Sequence, residues 1–189
     1  MNLISNAGSF SAGFSFPLSI YPENIKQPSL YQIAERTPNL NQSIVNQIAE
    51  QLALTFTNEK EDREGSFAPI DLLDYIYAVL HSPTYRTKYK EFLKIDFPRV
   101  PYPKDRETFW KLVGLGGELR QIHLLESPVV EKFITTYPND GSNQVIKLTY
   151  EDRKGRTLSF DDIMHYQKII VALTETDRIM KKIDGIEVE

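Results

Sequence analysis

DYIYAVLHSPTYRTKYKEFLKIDFPRVPYP, residues 74–103, contains the signals that decide most of the predicted fold. The sequence up to Ser82 is apolar on most faces and predicts a buried helix over residues 67–82. Ser82 and Pro83 then predict the start of a second helix, because a serine side chain caps a free backbone N–H and proline fits the first helical turn. This second helix is expected to stop near Asp96, because the prolines that follow cannot continue it.

The remaining sequence predicts three further helices and two short strands. Apolar spacing typical of helices extends over residues 39–54, 105–127 and 156–184. Alternating apolar residues predict strands at residues 14–20 and 144–150. The expected fold is therefore α+β and predominantly helical, with about five helices and a small antiparallel sheet in a single domain over residues 1–189.

Some residues are assigned more specific roles within these elements. Asn41 is a predicted N-cap, and Gly114, Gly116 and Gly117 are predicted to weaken the helix at 105–127 near its middle. The five helices are predicted to pack around a core of apolar side chains: Leu72, Ile76, Leu80, Phe92, Trp110, Leu119, Ile170 and Leu173.

The composition excludes several classes of protein. The chain has 189 residues and no cysteine, so structural disulfides, thiolate metal sites and a cysteine nucleophile are excluded. No apolar run approaches the roughly 18 residues that a membrane span needs. The N-terminal residues 1–16 lack the basic and apolar regions of a signal peptide. The expected location is the cytoplasm, with no membrane contact.

The charge is unevenly distributed along the chain. The formal net charge is −4, but residues 81–106, called the basic segment below, hold seven Lys and Arg against three Asp and Glu, a net of +4. Residues 1–80 carry a net of −5 and residues 107–189 a net of −3. A basic segment with acidic flanks fits a local anion-binding site better than a surface that is basic throughout.

The sequence contains none of the common catalytic or metal-binding motifs. Phosphate-binding, GxSxG and HExxH signatures are missing, and GLGG (114–117) lies inside a helical pattern rather than after a strand. His81, His123 and His165 are isolated in sequence and are predicted to be structural residues with satisfied hydrogen bonds. We therefore expect no catalytic residue, metal site or cofactor on this chain.

Three cations of the basic segment, Arg86, Lys90 and Lys94, are spaced four residues apart. At 3.6 residues per turn they would lie along one edge of the predicted helix. One interpretation is an ordinary amphipathic helix with a solvated basic face. The other is a row of phosphate contacts that continues along the proline-rich exit from the helix.

The second interpretation also needs side chains that can read bases. The loop at 136–144 (TYPNDGSNQ) supplies amide and hydroxyl groups of that kind. The candidate DNA-binding residues come from the basic segment and this loop: Tyr85, Arg86, Lys90, Lys94, Arg99, Lys104, Arg106, Asn139 and Asn143.

The block HSPTYR (81–86), with its downstream Tyr, Phe-Leu and DFPR, resembles a known family. It is similar to the C-terminal target-recognition region of type ISP restriction–modification enzymes and related adenine-specific DNA methyltransferases. Further segments resemble successive parts of that region, in the family's order, at residues 16–23, 38–52, 67–86, 117–128 and 152–173. The likeness therefore covers most of the chain.

The resemblance implies a function in DNA target recognition. In this family the region follows a methyltransferase domain, which uses S-adenosylmethionine to modify an adenine extruded from the duplex. The implied partners are double-stranded DNA and a methyltransferase domain or subunit, and S-adenosylmethionine would be bound by that methyltransferase.

The chain departs from the family pattern in two ways. It carries no Asn/Asp-Pro-Pro-Tyr/Phe tetrapeptide or other methyltransferase motif, so alone it is expected to be non-catalytic. Family members also have a longer stretch where Tyr150 and Asp152 almost abut here, which indicates an internal truncation near residues 150–152. The alternative hypothesis is therefore an interaction or structural module that docks a methyltransferase without its own DNA contact.

Overall fold

The computed structural model describes residues 2–6, 9–13, 16–21, 36–61, 64–134 and 160–186. The chain divides into two compact units, Met1–Leu73 and Asp74–Glu189. The described residues form five α-helices and three short two-stranded sheets. The prediction of an α+β, predominantly helical fold with about five helices and a small antiparallel sheet is therefore confirmed.

All three sheets lie in the first unit. β1 (Asn2–Asn6) and β2 (Ser9–Gly13) are antiparallel, β3 (Ser19–Ile20) and β4 (Thr37–Pro38) are antiparallel, and β5 (Thr55–Phe56) and β6 (Ser66–Phe67) are parallel. The hairpin of β1 and β2 and the parallel pair were not predicted from the sequence.

The strand predicted at residues 14–20 is shorter and differently paired than expected. In the described residues it is present only as β3, whose partner is β4 rather than the predicted strand at 144–150, a range outside the described residues. Asn39, which follows β4, extends the contact between the two strands. Its N–H donates to the carbonyl of Leu18 (2.9 Å), and its side-chain amide donates to the carbonyl of Pro17 (2.9 Å).

Helix α1 (Gln42–Leu52) begins at the predicted cap. The Asn41 side chain accepts hydrogen bonds from the N–H groups of Ser43 (3.0 Å) and Ile44 (3.3 Å), which satisfies donors that have no partner inside the helix. Of the stripe that the helical spacing predicts, Val45, Ile48 and Leu52 are buried, whereas Ile44 is 43% exposed.

Helix α2 (Pro69–His81) starts in the first unit, where Asp71 holds its first turn. The buried Asp71 carboxylate accepts the N–H of Ala68 at 2.9 Å and the Lys60 ammonium at 2.8 Å. Together these contacts neutralise a carboxylate that would be costly to bury alone.

The rest of α2 belongs to the second unit and packs against α4 (Arg106–His123) at a glycine. A Cβ placed on Gly116 would lie 1.9 Å from the Asp74 carbonyl oxygen and 3.2 Å from the Ala78 Cβ. The two backbones meet this closely because residue 116 has no side chain. α4 is nevertheless continuous through the three glycines that were predicted to weaken it, and one of them, Gly116, allows this close contact with α2.

Two kinds of contact hold α4 in the second unit. Its apolar face is completely buried at Phe109, Leu112, Leu119 and Ile122. Beside Gly116, the Arg120 guanidinium forms a two-pronged ion pair with Asp74, with Nε–Oδ1 at 2.6 Å and Nη2–Oδ2 at 3.2 Å.

Helix α5 (Phe160–Asp184) lies within the long C-terminal helix that the sequence predicts, and it packs along α4. Ile179 and Ile183 are fully buried, and Arg178 joins Glu118 of α4 at 2.6 Å. Leu173, predicted as core, is 66% exposed, whereas its neighbour Ala172 is buried. The prediction for Leu173 is wrong because the buried face of α5 turns along its length and does not follow one straight stripe.

The contact at Gly116 predicts a strong effect of a single methyl group. We expect Gly116→Ala to lower the free energy of unfolding by about 3 kcal/mol, because a backbone carbonyl cannot move aside without separating α2 from α4. Urea unfolding followed by the fluorescence of Trp110, the single tryptophan, measures the change.

Gly114→Ala is the matched control for this test. A Cβ at Gly114 meets nothing within 4 Å, so this change should raise the free energy of unfolding by about 0.5–1 kcal/mol through helix propensity. Equal effects of the two substitutions would contradict the close crossing.

Candidate nucleic-acid interface

The basic segment connects α2 to α4 and begins with the short helix α3 (Pro83–Lys88). Ser82 caps α3, because its hydroxyl accepts the N–H of Tyr85 at 3.2 Å, and Pro83 occupies the first turn. Both features of the predicted helix start are confirmed.

The helix that starts at Ser82 is shorter than predicted. α3 ends at Lys88, and after a turn the chain forms a 3-10 helix at Phe92–Lys94. The backbone leaves α-helical geometry at Tyr89 (φ −102°, ψ 14°), and the N–H of Lys90 reaches the carbonyl three residues earlier instead of four. The single continuous helix to Asp96 is therefore wrong.

This correction changes the geometry of the cation row. Arg86 lies on α3, Lys90 on the turn and Lys94 in the 3-10 helix, so their spacing of four does not place them on one α-helical edge. All three residues are nevertheless exposed.

An acidic residue from α5 fixes the start of α3. The Asp184 carboxylate accepts hydrogen bonds from the Ser82 hydroxyl (3.0 Å), the Thr84 N–H (2.8 Å) and the Thr84 hydroxyl (3.0 Å). The hydrogen bond from the Thr84 N–H is the main reason why the pKa of Asp184 lies below its ordinary value. Sequence reasoning missed this contact, because about a hundred residues separate its partners and no local pattern reveals it.

Two buried tyrosines fix the other end, the proline-rich exit. The Tyr85 hydroxyl donates to the carbonyl of Arg99 and the Tyr75 hydroxyl to that of Pro101, each at 3.0 Å. Burial raises the pKa of both hydroxyls, for Tyr75 to about 12. Tyr85 was a candidate contact residue, and the structure shows its ring buried and its hydroxyl used to position the exit.

Five exposed cations of the basic segment fall into two groups. Arg86, Lys90 and Arg106 have no carboxylate partner within the part of the chain that the structure describes. Lys94 pairs with Glu91 at 2.8 Å, and Arg99 approaches Asp96 at 3.9 Å. Pairs this exposed are worth about 0–1 kcal/mol, so a phosphate could replace either carboxylate at little cost.

The other candidates divide between this surface and ranges without a described structure. Lys104 is exposed at the end of the proline-rich exit. Asn139 and Asn143, with the loop at 136–144, lie outside the described residues, so their role in base recognition stays a prediction.

His81 and His123 form a polar cluster that links helices of the second unit. His123 Nδ1 lies 2.6 Å from the Tyr77 hydroxyl and its Nε2 2.9 Å from the Thr176 hydroxyl, while His81 Nδ1 lies 2.8 Å from the Tyr77 carbonyl. Burial, and then the nearby His81, lower the pKa of His123. Both histidines take part in hydrogen bonds, as predicted for structural residues, and the described residues contain no group of three His, Asp or Glu side chains that could hold a metal ion.

A family model described as the type ISP C-terminal specificity domain matches residues 1–170 of this sequence. The chain belongs to this family. Membership confirms the resemblance and assigns the chain to target recognition in restriction–modification. No curated protein and no solved structure matches the chain. None of the helices among the described residues is long and apolar enough to cross a membrane.

Most side chains of the block HSPTYR (81–86) make contacts within the second unit. His81 and Ser82 bond to backbone or to the α5 carboxylate, Thr84 contacts the same carboxylate, and Tyr85 is buried against the exit. Thr84 and Arg86 are the residues of this block that are exposed to solvent. Most of the block therefore shapes the start of the basic segment, and its last residue, Arg86, is exposed there.

The contact between Asp184 and α3 predicts a loss of stability on truncation. We expect Asp184→Ala to lower the free energy of unfolding by about 2 kcal/mol, because three hydrogen bonds to a charged acceptor are lost. Folding lowers the pKa of Asp184 below its ordinary value of 3.8. Its contribution to the free energy of unfolding is therefore present above pH 3.8 and is lost as the pH falls through the lower, folded-state pKa.

Urea unfolding at neutral and at acidic pH checks both parts of this prediction. Asp177→Ala is the control, because Asp177 lies on the same helix in an exposed pair with Lys181 and its loss should change stability by less than about 0.5 kcal/mol. If the difference in free energy of unfolding between Asp184→Ala and the wild type did not shrink at acidic pH, the role assigned to the Asp184 carboxylate would be contradicted.

Tyr75 predicts a loss of stability at alkaline pH. Its folded-state pKa of about 12 exceeds the ordinary 10.0, so its contribution is complete below pH 10 and is lost as the pH rises toward 12. Tyr75→Phe should be less stable than the wild type by about 1 kcal/mol at pH 8, through the lost hydrogen bond to Pro101, and should lose less stability between pH 10 and 12.

Unfolding curves at several alkaline pH values measure this dependence. Tyr102→Phe is the control, because Tyr102 is an exposed tyrosine of the same exit and should show the wild-type alkaline profile. Identical profiles for Tyr75→Phe and the wild type would show that the Tyr75 hydroxyl does not hold the exit.

Proposed function

We propose that this chain binds duplex DNA through the exposed cations of the basic segment and acts, without catalysis of its own, as the target-recognition module of a restriction–modification system. The observation that carries the proposal is the exposure of Arg86, Lys90 and Arg106, which have no carboxylate partner in the described part of the chain. Cations in this state can meet phosphates without first breaking an ion pair.

The charge balance supports a local contact. The basic segment carries a net of +4 in a chain whose net charge is −4. At physiological salt the Debye length is about 8 Å, so acidic residues farther away are largely screened from a phosphate at this surface. The field that a DNA backbone meets there is set by the nearest side chains.

The anchoring of the segment also supports the proposal. Asp184 holds its start, and Tyr85 and Tyr75 hold its exit, so its backbone is positioned before any ligand arrives. A preorganised surface loses less conformational entropy on binding than a free loop does.

The cations account for affinity and register, whereas sequence reading requires other groups. Phosphate contacts carry no base information, and specificity comes from side chains that reach base edges in a groove. Within this proposal the loop at 136–144, with Asn139 and Asn143, supplies those side chains.

The proposed catalytic partner is a separate methyltransferase domain or subunit. The sequence contains no methyltransferase motif, and S-adenosylmethionine would be bound by that partner. The chain would then supply the target site and the partner the chemistry on the extruded adenine.

A duplex-binding assay over a range of salt concentrations tests the DNA contact. The affinity for a mixed-sequence duplex should fall steeply with salt, with a slope of about −0.9 per phosphate contact in a plot of log K against log salt. Arg86→Ala combined with Lys90→Ala should reduce the size of that slope by about two units, because two contacts are lost.

The control removes two positive charges elsewhere on the second unit. Lys111→Ala combined with Lys181→Ala changes the net charge equally but affects exposed lysines that are paired on α4 and α5. An equal loss of slope in both double variants, or binding that ignores salt, would sink the proposal. Complex formation with a methyltransferase partner but no DNA affinity would instead support the docking alternative.

A further inference from the structure

Two large apolar residues of the basic segment, Ile95 and Phe97, are more than half exposed. Ile95 is 84% exposed and Phe97 55% exposed, although hydrophobic groups of this size are stabilised by burial. They are two residues apart, and Lys94 and Arg99 flank them. An apolar pair between exposed cations has the chemistry to contact the bases of a nucleic acid while its neighbours contact phosphates.

The backbone beneath these side chains is held on both sides. The N–H groups of Ile95 and Asp96 both donate to the carbonyl of Phe92, at 3.0 and 3.1 Å, and the N–H of Phe97 donates to the Asp96 side chain at 2.8 Å. The Arg99 guanidinium lies 5.3 Å from the centre of the Phe92 ring, and the Arg99 carbonyl is bonded to Tyr85. The backbone that carries Ile95 and Phe97 is therefore held in place by hydrogen bonds on both sides.

Apolar side chains are the groups that many DNA-bending proteins insert to separate stacked bases. Side chains such as Ile and Phe enter between base steps as wedges, and the unstacking energy is offset by the additional protein contacts that bent DNA permits. A wedge on a loose loop would fold away instead of opening the stack. The cations on both sides would hold the phosphate backbones while the apolar pair enters.

We propose that Ile95, with Phe97 beside it, inserts into the base stack of the duplex that the basic segment binds. This inference rests on the proposed DNA-binding function and adds to it a residue that deforms DNA. Insertion locally unwinds the duplex, because separated base pairs can no longer keep the helical twist of a stacked step.

A linking-number assay with the full chain tests this proposal. A closed circular plasmid is relaxed by a topoisomerase in the presence of the chain and then freed of protein, so that unwinding remains as a change in linking number. The wild type should change the linking number in proportion to the amount bound. Ile95→Ala should lose at least half of the change per bound chain and bind about tenfold more weakly, because the apolar contact is lost.

Several variants separate the wedge from the phosphate contacts. Ile95→Ala should keep the wild-type salt slope, since no cation is removed. Ile95→Leu keeps the apolar bulk and should unwind DNA as the wild type does. Leu173→Ala removes a comparably exposed apolar side chain on α5, 66% exposed, and should change neither binding nor unwinding.

Each outcome decides for or against the wedge. Steep salt dependence without any linking-number change would overturn it and leave the proposed function intact. Unwinding by Ile95→Ala at the wild-type level, or its loss in Ile95→Leu, would also overturn it, and the first result would favour a protein partner for the apolar pair. No DNA binding by the wild type would overturn both proposals.

Discussion

The close contact between α2 and α4 at Gly116 is the constraint on which the second unit depends. The basic segment leaves the end of α2 and returns at the start of α4, so the distance between its two ends is set by how these helices cross. At the crossing, the Gly116 backbone packs against the Asp74 carbonyl. The Asp74 carboxylate also accepts two hydrogen bonds from the Arg120 guanidinium. Losing either partner of such a largely buried pair would leave a charge without compensation.

Given fixed ends, the chain between them needs only a few further bonds to hold its shape. Asp184 supplies three at the start of α3, and the hydroxyls of Tyr75 and Tyr85 supply one each to an exit whose prolines lack N–H donors. Hydroxyl-to-carbonyl bonds suit such an exit, because a proline-rich strand can accept hydrogen bonds but contributes few donors for a sheet. The backbone and the capping side chains of this segment thus hold its shape, while its cationic side chains remain exposed.

Features that depend on residues close together in the sequence could be predicted, whereas contacts between distant elements could not. The caps at Asn41 and Ser82 were predictable because a cap involves residues two or three apart, and the fold class followed from the apolar spacing of the helices. The role of Gly116 and the contact of Asp184 depend on packing between elements distant in sequence, which spacing does not encode. Glycines inside a helix signal either weakness or close approach, and only the neighbouring helix distinguishes the two.

An acidic chain that displays a partly neutralised basic segment suits a recognition module better than a general DNA-binding protein. Glu91 and Asp96 lie three residues from Lys94 and Arg99, and they lower the local attraction for any polyanion without blocking the exposed cations. Replacing either carboxylate by a phosphate costs little, since exposed pairs are weak, but it gains little when the geometry is poor. Under the proposed DNA contact, non-specific affinity would stay low, and the difference between right and wrong duplexes would depend on contacts that require the correct sequence or an easily deformed one. A surface basic throughout would raise binding to every duplex equally and reduce the fraction of the affinity that depends on sequence.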